Sequence, residues 1–420
     1  MKLDELGSVG RGKSKHRPRN DPTLYGGQYP FVQTGDVKEA DLWLSHYTQT
    51  YSEAGLAQSK LWPAGTLCIT IAANIAETAI LKIPACFPDS IVGFIPHEGK
   101  ADVRFVKYYI DTIKLRMQNA SKGTTQDNLS VDKLLSFDFD VPDYPIQERI
   151  ASILCAYDDL IENDTRRITI LEEMASMIYR EWFVNFRFSG REKLRAVGSA
   201  LGDIPEGWEI TDLESVCVKG NGIQTGPFGS QLHMADYSDE GVPVVMPKDL
   251  IGFRIRTDEI ARIPESIAEK LSRHRMQPND IVYGRRGDIG RRAYLMSDQS
   301  GWFCGTGCLR IRPNSQAVNS WYLFNYLGQD DVQGIIAGRA LGVTMPNLNT
   351  GVMASVPVKL PPRDLQDAFA RLTFPMAEAR EVLSAAIENL RSTRDLLLPK
   401  LISGEISIQK IETEAATQPA

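Results

Sequence analysis

Four stretches of the chain carry residue types at spacings that could do chemistry. Gly7-Ser8-Val9-Gly10-Arg11-Gly12-Lys13-Ser14 fits the phosphate-binding pattern G-x-x-x-x-G-K-[ST] at every position. In that arrangement backbone amides and a lysine cradle phosphates at the start of a helix. Here only six residues precede the run, with charges at Lys2, Asp4 and Glu5. Arg17-Pro18-Arg19-Asn20-Asp21-Pro22 follows, and its prolines forbid a helix. The expectation is instead a flexible basic loop, Arg11, Lys13, Lys15, Arg17 and Arg19 with no acid among them, suited to a phosphate backbone. Asp89 and Glu98 resemble the paired carboxylates of metal nucleases, which must converge on one ion. Residues 90–95 between them read as one strand, which would hold them roughly 25–30 Å apart at ~3.3 Å per residue. Of six cysteines only Cys304 and Cys308 are close, and the nearest histidine, His274, lies thirty residues away. A zinc site wants four ligands in paired short spacings, so free thiols and no metal are expected. No methyltransferase Asn-Pro-Pro-Tyr loop and no G-x-S-x-G turn is present.

The fourth stretch suits recognition rather than catalysis. Tyr283-Gly284-Arg285-Arg286-Gly287-Asp288-Ile289-Gly290-Arg291-Arg292 is a glycine-rich turn with four arginines. Glycines allow close approach, and Arg285, Arg286, Arg291 and Arg292 could fork onto guanine edges or phosphates. Between Arg254 and Arg292 ten Lys/Arg stand against six Asp/Glu, although the whole chain carries −6. Basic clusters on an acidic body suit a protein that meets nucleic acid at chosen places. Asn and Gln are apt for adenine, which makes Gln126, Asn128, Asn347 and Asn349 candidates too. Capping or turn hydrogen bonds are an equally good use of these four.

The elements that must position these residues are written twice. Residues 29–37 reappear at 242–250, 65–69 at 279–283 and 125–129 at 344–348, with Pro142 on Pro361 and Gln147 on Gln366; the offset drifts only from 213 to 219. The counterpart of the arginine turn is Ala72-Ala73-Asn74-Ile75-Ala76-Glu77, without arginine. Leu6-Gly7-Ser8-Val9 aligns with Leu213-Glu214-Ser215-Val216, so the first copy starts later in the plan than the second. Each copy opens with short apolar runs (67–71, 91–95, 281–283, 308–311) bounded by Gly, Pro and Asn, the signature of strands. Residues 103–117 and 320–327 read as helices. Each copy then ends in a 4-3 apolar seam. The first runs Ile150, Leu154, Tyr157, Ile161, Ile168, Leu171, Ala175, Ile178, Trp182, interrupted by Asp164. The second runs Phe369, Met376, Leu383, Ile387, Leu390, Leu397, Leu401, with Thr373, Arg380 and Arg394 as polar departures. Helices of ~37 residues, ~55 Å long, are expected, packed on each other as an antiparallel coiled coil. The fold class is therefore α+β: two similar mixed α/β domains separated by two long helices, with an internal pseudo-twofold repeat. The expected boundaries are 1–145, 146–200, 201–362 and 363–420.

Ile146-Gln147-Glu148-Arg149-Ile150-Ala151-Ser152-Ile153-Leu154, followed by Asp158-Asp159-Leu160-Ile161-Glu162-Asn163 and by Trp182-Phe183-Val184-Asn185-Phe186, resembles the central conserved helix of type I restriction-modification specificity subunits. Leu201-Gly202-Asp203-Ile204-Pro205-Glu206-Gly207-Trp208 is similar to the opening of their second target recognition domain. Leu398-Pro399-Lys400-Leu401-Ile402-Ser403-Gly404-Glu405-Ile406 is similar to their C-terminal ending. The resemblance spans the chain in order. It implies a non-catalytic DNA reader for a split duplex target. Its implied partners are two modification subunits carrying S-adenosylmethionine and two restriction subunits carrying ATP and Mg²⁺, with no cofactor on this chain. Two other classes remain open: a coiled-coil adaptor that joins proteins without reading DNA, and a nuclease should Asp89 and Glu98 meet. No apolar stretch nears the ~20 residues of a membrane span and the first residues lack a leader's apolar core, so a cytoplasmic protein is expected.

Overall fold

A computed structural model describes residues 1–16, 18–121, 128–188, 195–199, 201–229, 231–287, 289–340 and 347–406. By its internal contacts the chain forms two units, Met1–Ile168 with Glu381–Ala420, and Thr169–Arg380. The division runs through both long helices, Tyr144–Tyr179 and Arg363–Ile402, so each unit holds a globular head and one stretch of each helix.

The two heads share one order of four strands in the main sheet, to which the first adds an edge strand. In the first unit a sheet runs in the order Gly7–Arg11, Ile91–Pro96, Leu67–Thr70, Thr78–Leu81, Trp43–Leu44. In the second the order is Ile223–Thr225, Cys308–Ile311, Ile281–Gly284, Arg292–Tyr294. A second small sheet accompanies each: Tyr25–Phe31 pairs antiparallel with Gln49–Tyr51 and parallel with Ala85–Cys86, as Val242–Val245 pairs with Ala261–Ile263 and Phe303–Cys304. The apolar runs are strands because both faces are covered; Leu67–Thr70 and Cys308–Ile311 are buried at every position. The helix Val103–Ser121 lays Phe105, Val106, Tyr109, Ile110, Ile113 and Met117 on the first sheet's core, the spacing of an amphipathic helix.

The repeat extends to single hydrogen bonds. Gln147 accepts from the Asp102 amide (3.1 Å) and donates to the Pro142 carbonyl (2.9 Å). Gln366, 219 residues on, accepts from the Asn319 amide (2.8 Å) and donates to the Pro361 carbonyl (2.7 Å). Both amides are buried, and each ties the start of its long helix to its own head.

The long helices span 36 and 40 residues and run antiparallel within each unit. In the first unit Ile150, Leu154 and Leu401 join one core and Asp158 pairs with Arg394. In the second Tyr179 packs on Phe369 with ring centroids 5.8 Å apart, and Glu172 lies 2.8 Å from Arg380. Ile161, Leu383 and Ile387 are buried in the seam, while Ile168, Leu171, Ile178, Leu390 and Leu397 are half-buried. Asp158 is buried where the heptad pattern points to Tyr157, because a straight helix drifts against a strict 3.5 repeat. Asp164 is also buried and pairs with Arg167 at 3.0 Å. The polar departures of the second helix all have partners: Thr373 accepts from the Trp321 indole (2.9 Å), Arg380 meets Glu172, and Arg394 meets Asp158.

Candidate nucleic-acid interface

The P-loop-like run is a strand edge. Gly7–Arg11 pairs with Ile91–Pro96, the Gly12 amide donates to the Ile91 carbonyl (2.9 Å) and the Lys13 amide to the Phe87 carbonyl (3.1 Å). The Gly12 and Lys13 amides, which a phosphate loop would turn on its ligand, are thus bonded to protein. The glycines permit close packing instead: a Cβ on Gly10 would lie 2.7 Å from the Trp62 ring, and one on Gly12 2.2 Å from the Pro88 carbonyl oxygen. Asp89 takes Arg19 in a two-oxygen ion pair (2.9 and 3.0 Å), and strand Ile91–Pro96 separates it from the exposed Glu98. All six cysteines are buried free thiols, and among the described residues no cluster of three His, Cys, Asp or Glu could hold a metal.

In both units the same four backbone links gather three loops. The Gly12 and Gly226 amides donate to Ile91 and Cys308 (2.9 and 3.0 Å). The Ile71 and Arg285 amides donate to Ser90 and Gly307 (2.9 and 2.8 Å), and the Ile71 and Arg285 carbonyls accept from Leu129 and Leu348 (both 2.9 Å). Isolated bridges then join Ala72 to Asn128 and Arg286 to Asn347. The arginine turn, the Asn347 segment and the loop after strand Ile223–Thr225 therefore meet in the second unit. Their counterparts, the 72–76 loop, the Asn128 segment and the basic loop after Gly12, meet in the first.

The side chains at these junctions differ. Arg285 is 5 % exposed, its Nε and Nη2 donate to Asn347 Oδ1 (3.3 and 3.2 Å), and its guanidinium carbon lies 5.7 Å from the Phe228 ring centroid. Burial first, then the neighbouring Arg286, lowers its pKa. Arg286 and Arg291 are exposed. Arg292 is half-buried, donates to the Phe324 carbonyl (3.0 Å) and lies 4.8 Å over the Phe324 ring, so its guanidinium is engaged within the head. Asn349 caps the helix Thr350–Ala354, accepting from the Val352 amide at 2.8 Å. In the first unit Asn128, Lys13 and Lys15 are exposed; Arg11 donates to the Asp89 carbonyl, and Arg19 holds the Asp89 side chain. Arg17 and Gln126 lie outside the described residues.

Sequence reasoning missed Phe228, which sits on Gly226-Pro227-Phe228-Gly229 beside Arg285. Strand-to-loop equivalence with Gly12 would have found it, since an offset of 214 places this loop on the basic run.

A duplicated mixed α/β protein with long antiparallel helices is a defined class. A sequence profile described as Type I restriction modification DNA specificity domain matches residues 1–173 and again 205–372. The chain belongs to that family, and membership implies recognition of a DNA target by a non-catalytic subunit. It is 23 % identical over 415 residues to the MjaIX specificity subunit of Methanocaldococcus jannaschii, covering 98 % of this chain and 94 % of that one. It is also 23 % identical over 358 residues to the HindI specificity subunit of Haemophilus influenzae, covering 69 % and 74 %. The crystal structure of the type I restriction-modification S subunit from M. genitalium shares the fold, with a TM-score of 0.66 at 15 % identity over 96 % of this chain and 95 % of that one. Among the described residues no helix is long and apolar enough to cross a membrane.

Proposed function

We propose that this chain reads a two-part duplex DNA target, one block per unit, and carries the catalytic subunits of a type I restriction-modification complex. The observation behind this reading is the junction repeated in both units with one set of backbone links and two sets of side chains. A duplicated scaffold with divergent loops is what two different blocks require; a protein adaptor would have no need of either feature. Arg286 reads a base or phosphate in the second block. Lys13 and Lys15 hold phosphates beside the first.

The scaffold reading rests on the helices. In the first unit Ile146, Leu160, Val382 and Leu396 are exposed, and in the second Ile170, Met174, Met177 and Leu372. Apolar side chains left open on helices that already bury one seam suit partner helices. Two modification subunits and two restriction subunits, working in the cytoplasm, are the proposed partners. S-adenosylmethionine, ATP and Mg²⁺ are proposed to be carried by those partner subunits.

Sequencing of methylated adenines in cells expressing the chain with its modification subunit tests this directly. Two short blocks separated by unread base pairs are expected, with Arg286→Ala altering one block only. A single continuous target, or methylation independent of this chain, would overturn the reading.

A further inference from the structure

We infer that Phe228 is a base-reading side chain of the second unit and that it packs on the 5-methyl group of a thymine. The inference rests on the DNA-reading role proposed for the same junction. Of fifteen phenylalanines Phe228 alone is exposed, at 53 %. Its loop is nevertheless fixed. The Phe228 carbonyl accepts from the Gln231 and Leu232 amides (2.8 and 3.2 Å), and its amide donates to Gln231 Oε1 (3.3 Å). Thr306 Oγ1 donates to the Pro227 carbonyl (3.0 Å), and Gly226 packs so closely that a Cβ would lie 1.9 Å from the Gly305 carbonyl oxygen. A ring held open on a braced loop presents a fixed apolar surface beside the reading junction.

The neighbours select the partner. The Arg285 guanidinium stands on one side of the ring and is itself buried against Asn347. Wedging between two bases needs both faces of a ring. Packing on a base edge needs one, and the thymine methyl is the apolar group on the major-groove edge. The first unit has Ser14 at the matching place, 7 % exposed, so only one block should carry the contact.

The test uses the chain assembled with its modification subunit on its own methylated target. Each thymine of either block is replaced in turn by uracil, which removes only the methyl. One substitution should weaken wild-type binding about 4-fold, the worth of one buried methyl. Phe228→Ala should weaken binding to the thymine duplex by at least that factor and lose nothing further on the uracil duplex. Unchanged first-block penalties and an unchanged melting temperature would show the variant folded. A full uracil penalty persisting in Phe228→Ala, no thymine in the affected block, or wild-type affinity in the variant would each overturn the assignment. Should scrambling that block leave wild-type binding unchanged, the DNA-reading role of the unit would fail first; a costly scramble without coupling would remove Phe228 alone.

Discussion

At the junction of the second unit Arg285 and Arg286 meet the Asn347 segment and Phe228 lies beside Arg285, whereas in the first Ile71 and Ala72 meet the Asn128 segment and Ser14 holds the loop position that matches Phe228. The backbone links agree to about 0.1 Å while the side chains share only the asparagine. The first unit's loop keeps its shape by local means: Ala73 and Ala76 take φ +61°, and the Thr70 hydroxyl accepts from the Glu77 amide at 2.9 Å. The second unit's turn is braced by Arg285 on Asn347. A fold that fixes loops through main-chain bonds leaves their side chains free to differ, the buried Ile71, Ser14 and Arg285 as well as the exposed Arg286 and Phe228. The helix seams differ in the same way. The first unit buries the Asp158 carboxylate against a half-buried Arg394, and the Tyr108 hydroxyl also donates to that carboxylate. In the second, Arg380 meets the exposed Glu172.

The largest expected effect breaks that last contrast. Arg394→Met strands the Asp158 carboxylate in the seam with only a phenol, and removing one partner of a buried pair costs about 3–5 kcal/mol. Burial and then Asp158 already push the Tyr108 phenol far up, so it stays a donor and cannot take the charge. Arg380→Met frees the exposed Glu172 into water, where an ion pair is worth at most about 1 kcal/mol, and methionine keeps an apolar stem beside Phe253, so a smaller loss is expected. Denaturant unfolding of the two variants measures the difference; equal losses would mean the seams are held alike.

Protons should separate the units next. His274 is 1 % exposed, its Nδ1 lies 2.9 Å from the Thr225 carbonyl and Arg273 Nε donates to its Nε2; the other four histidines are exposed. Burial, then Arg273, depresses its pKa to about 4. The unfolded chain takes up this proton near 6.5 and the folded one only near 4. Stability is therefore complete above ~6.5 and falls as pH drops toward 4, by up to roughly 3 kcal/mol at 1.36 kcal/mol per pH unit. His274→Gln should flatten that slope. Melting curves between pH 7 and 4.5 with the same slope in both proteins would exclude His274 as its source.

Much of this was legible in the sequence. The repeat, the strands and both long helices follow from period and punctuation, because burying an apolar stripe leaves a trace at fixed spacing. The partners of Thr373, Arg380 and Arg394 were not legible, since each lies on another element. Neither was the division of labour among candidates. Arg286 and Arg292 look alike in sequence, yet one is exposed and the other is engaged with Phe324, a difference set by which face of a strand end each occupies. Phe228 was hidden because its loop matches a basic run rather than an aromatic one.

A smaller effect sharpens the contrast between the reading loops. Arg286→Ala should reduce discrimination in the second block by about 1–3 kcal/mol if the arginine is bidentate on a guanine. Lys13→Ala with Lys15→Ala should weaken binding evenly over all sequences and lower the salt slope by about one per lost phosphate contact. Titrations against blocks varied one at a time, at several salt concentrations, distinguish them. Sequence-dependent losses in the lysine variant would show that both units read bases with cations.

The smallest effect concerns a residue whose type suits adenine but whose place suits a helix. Asn349 accepts from the Val352 amide (2.8 Å), and 219 residues earlier Ser130 accepts from the Lys133 amide (3.2 Å) at the start of Val131–Ser136. Both units thus cap the short helix that follows the junction with a side-chain oxygen, using different residues for one task. Asn349→Ala should lower stability by about 1 kcal/mol, Asn349→Ser by much less, and neither should change the methylated sequence. Asn347→Ala, two residues away, should act oppositely, since it removes the acceptor that holds Arg285 and so alters recognition in the second block. A change of target sequence in Asn349→Ser would show that this asparagine reads a base after all, and the boundary between cap and contact would then move two residues along the loop.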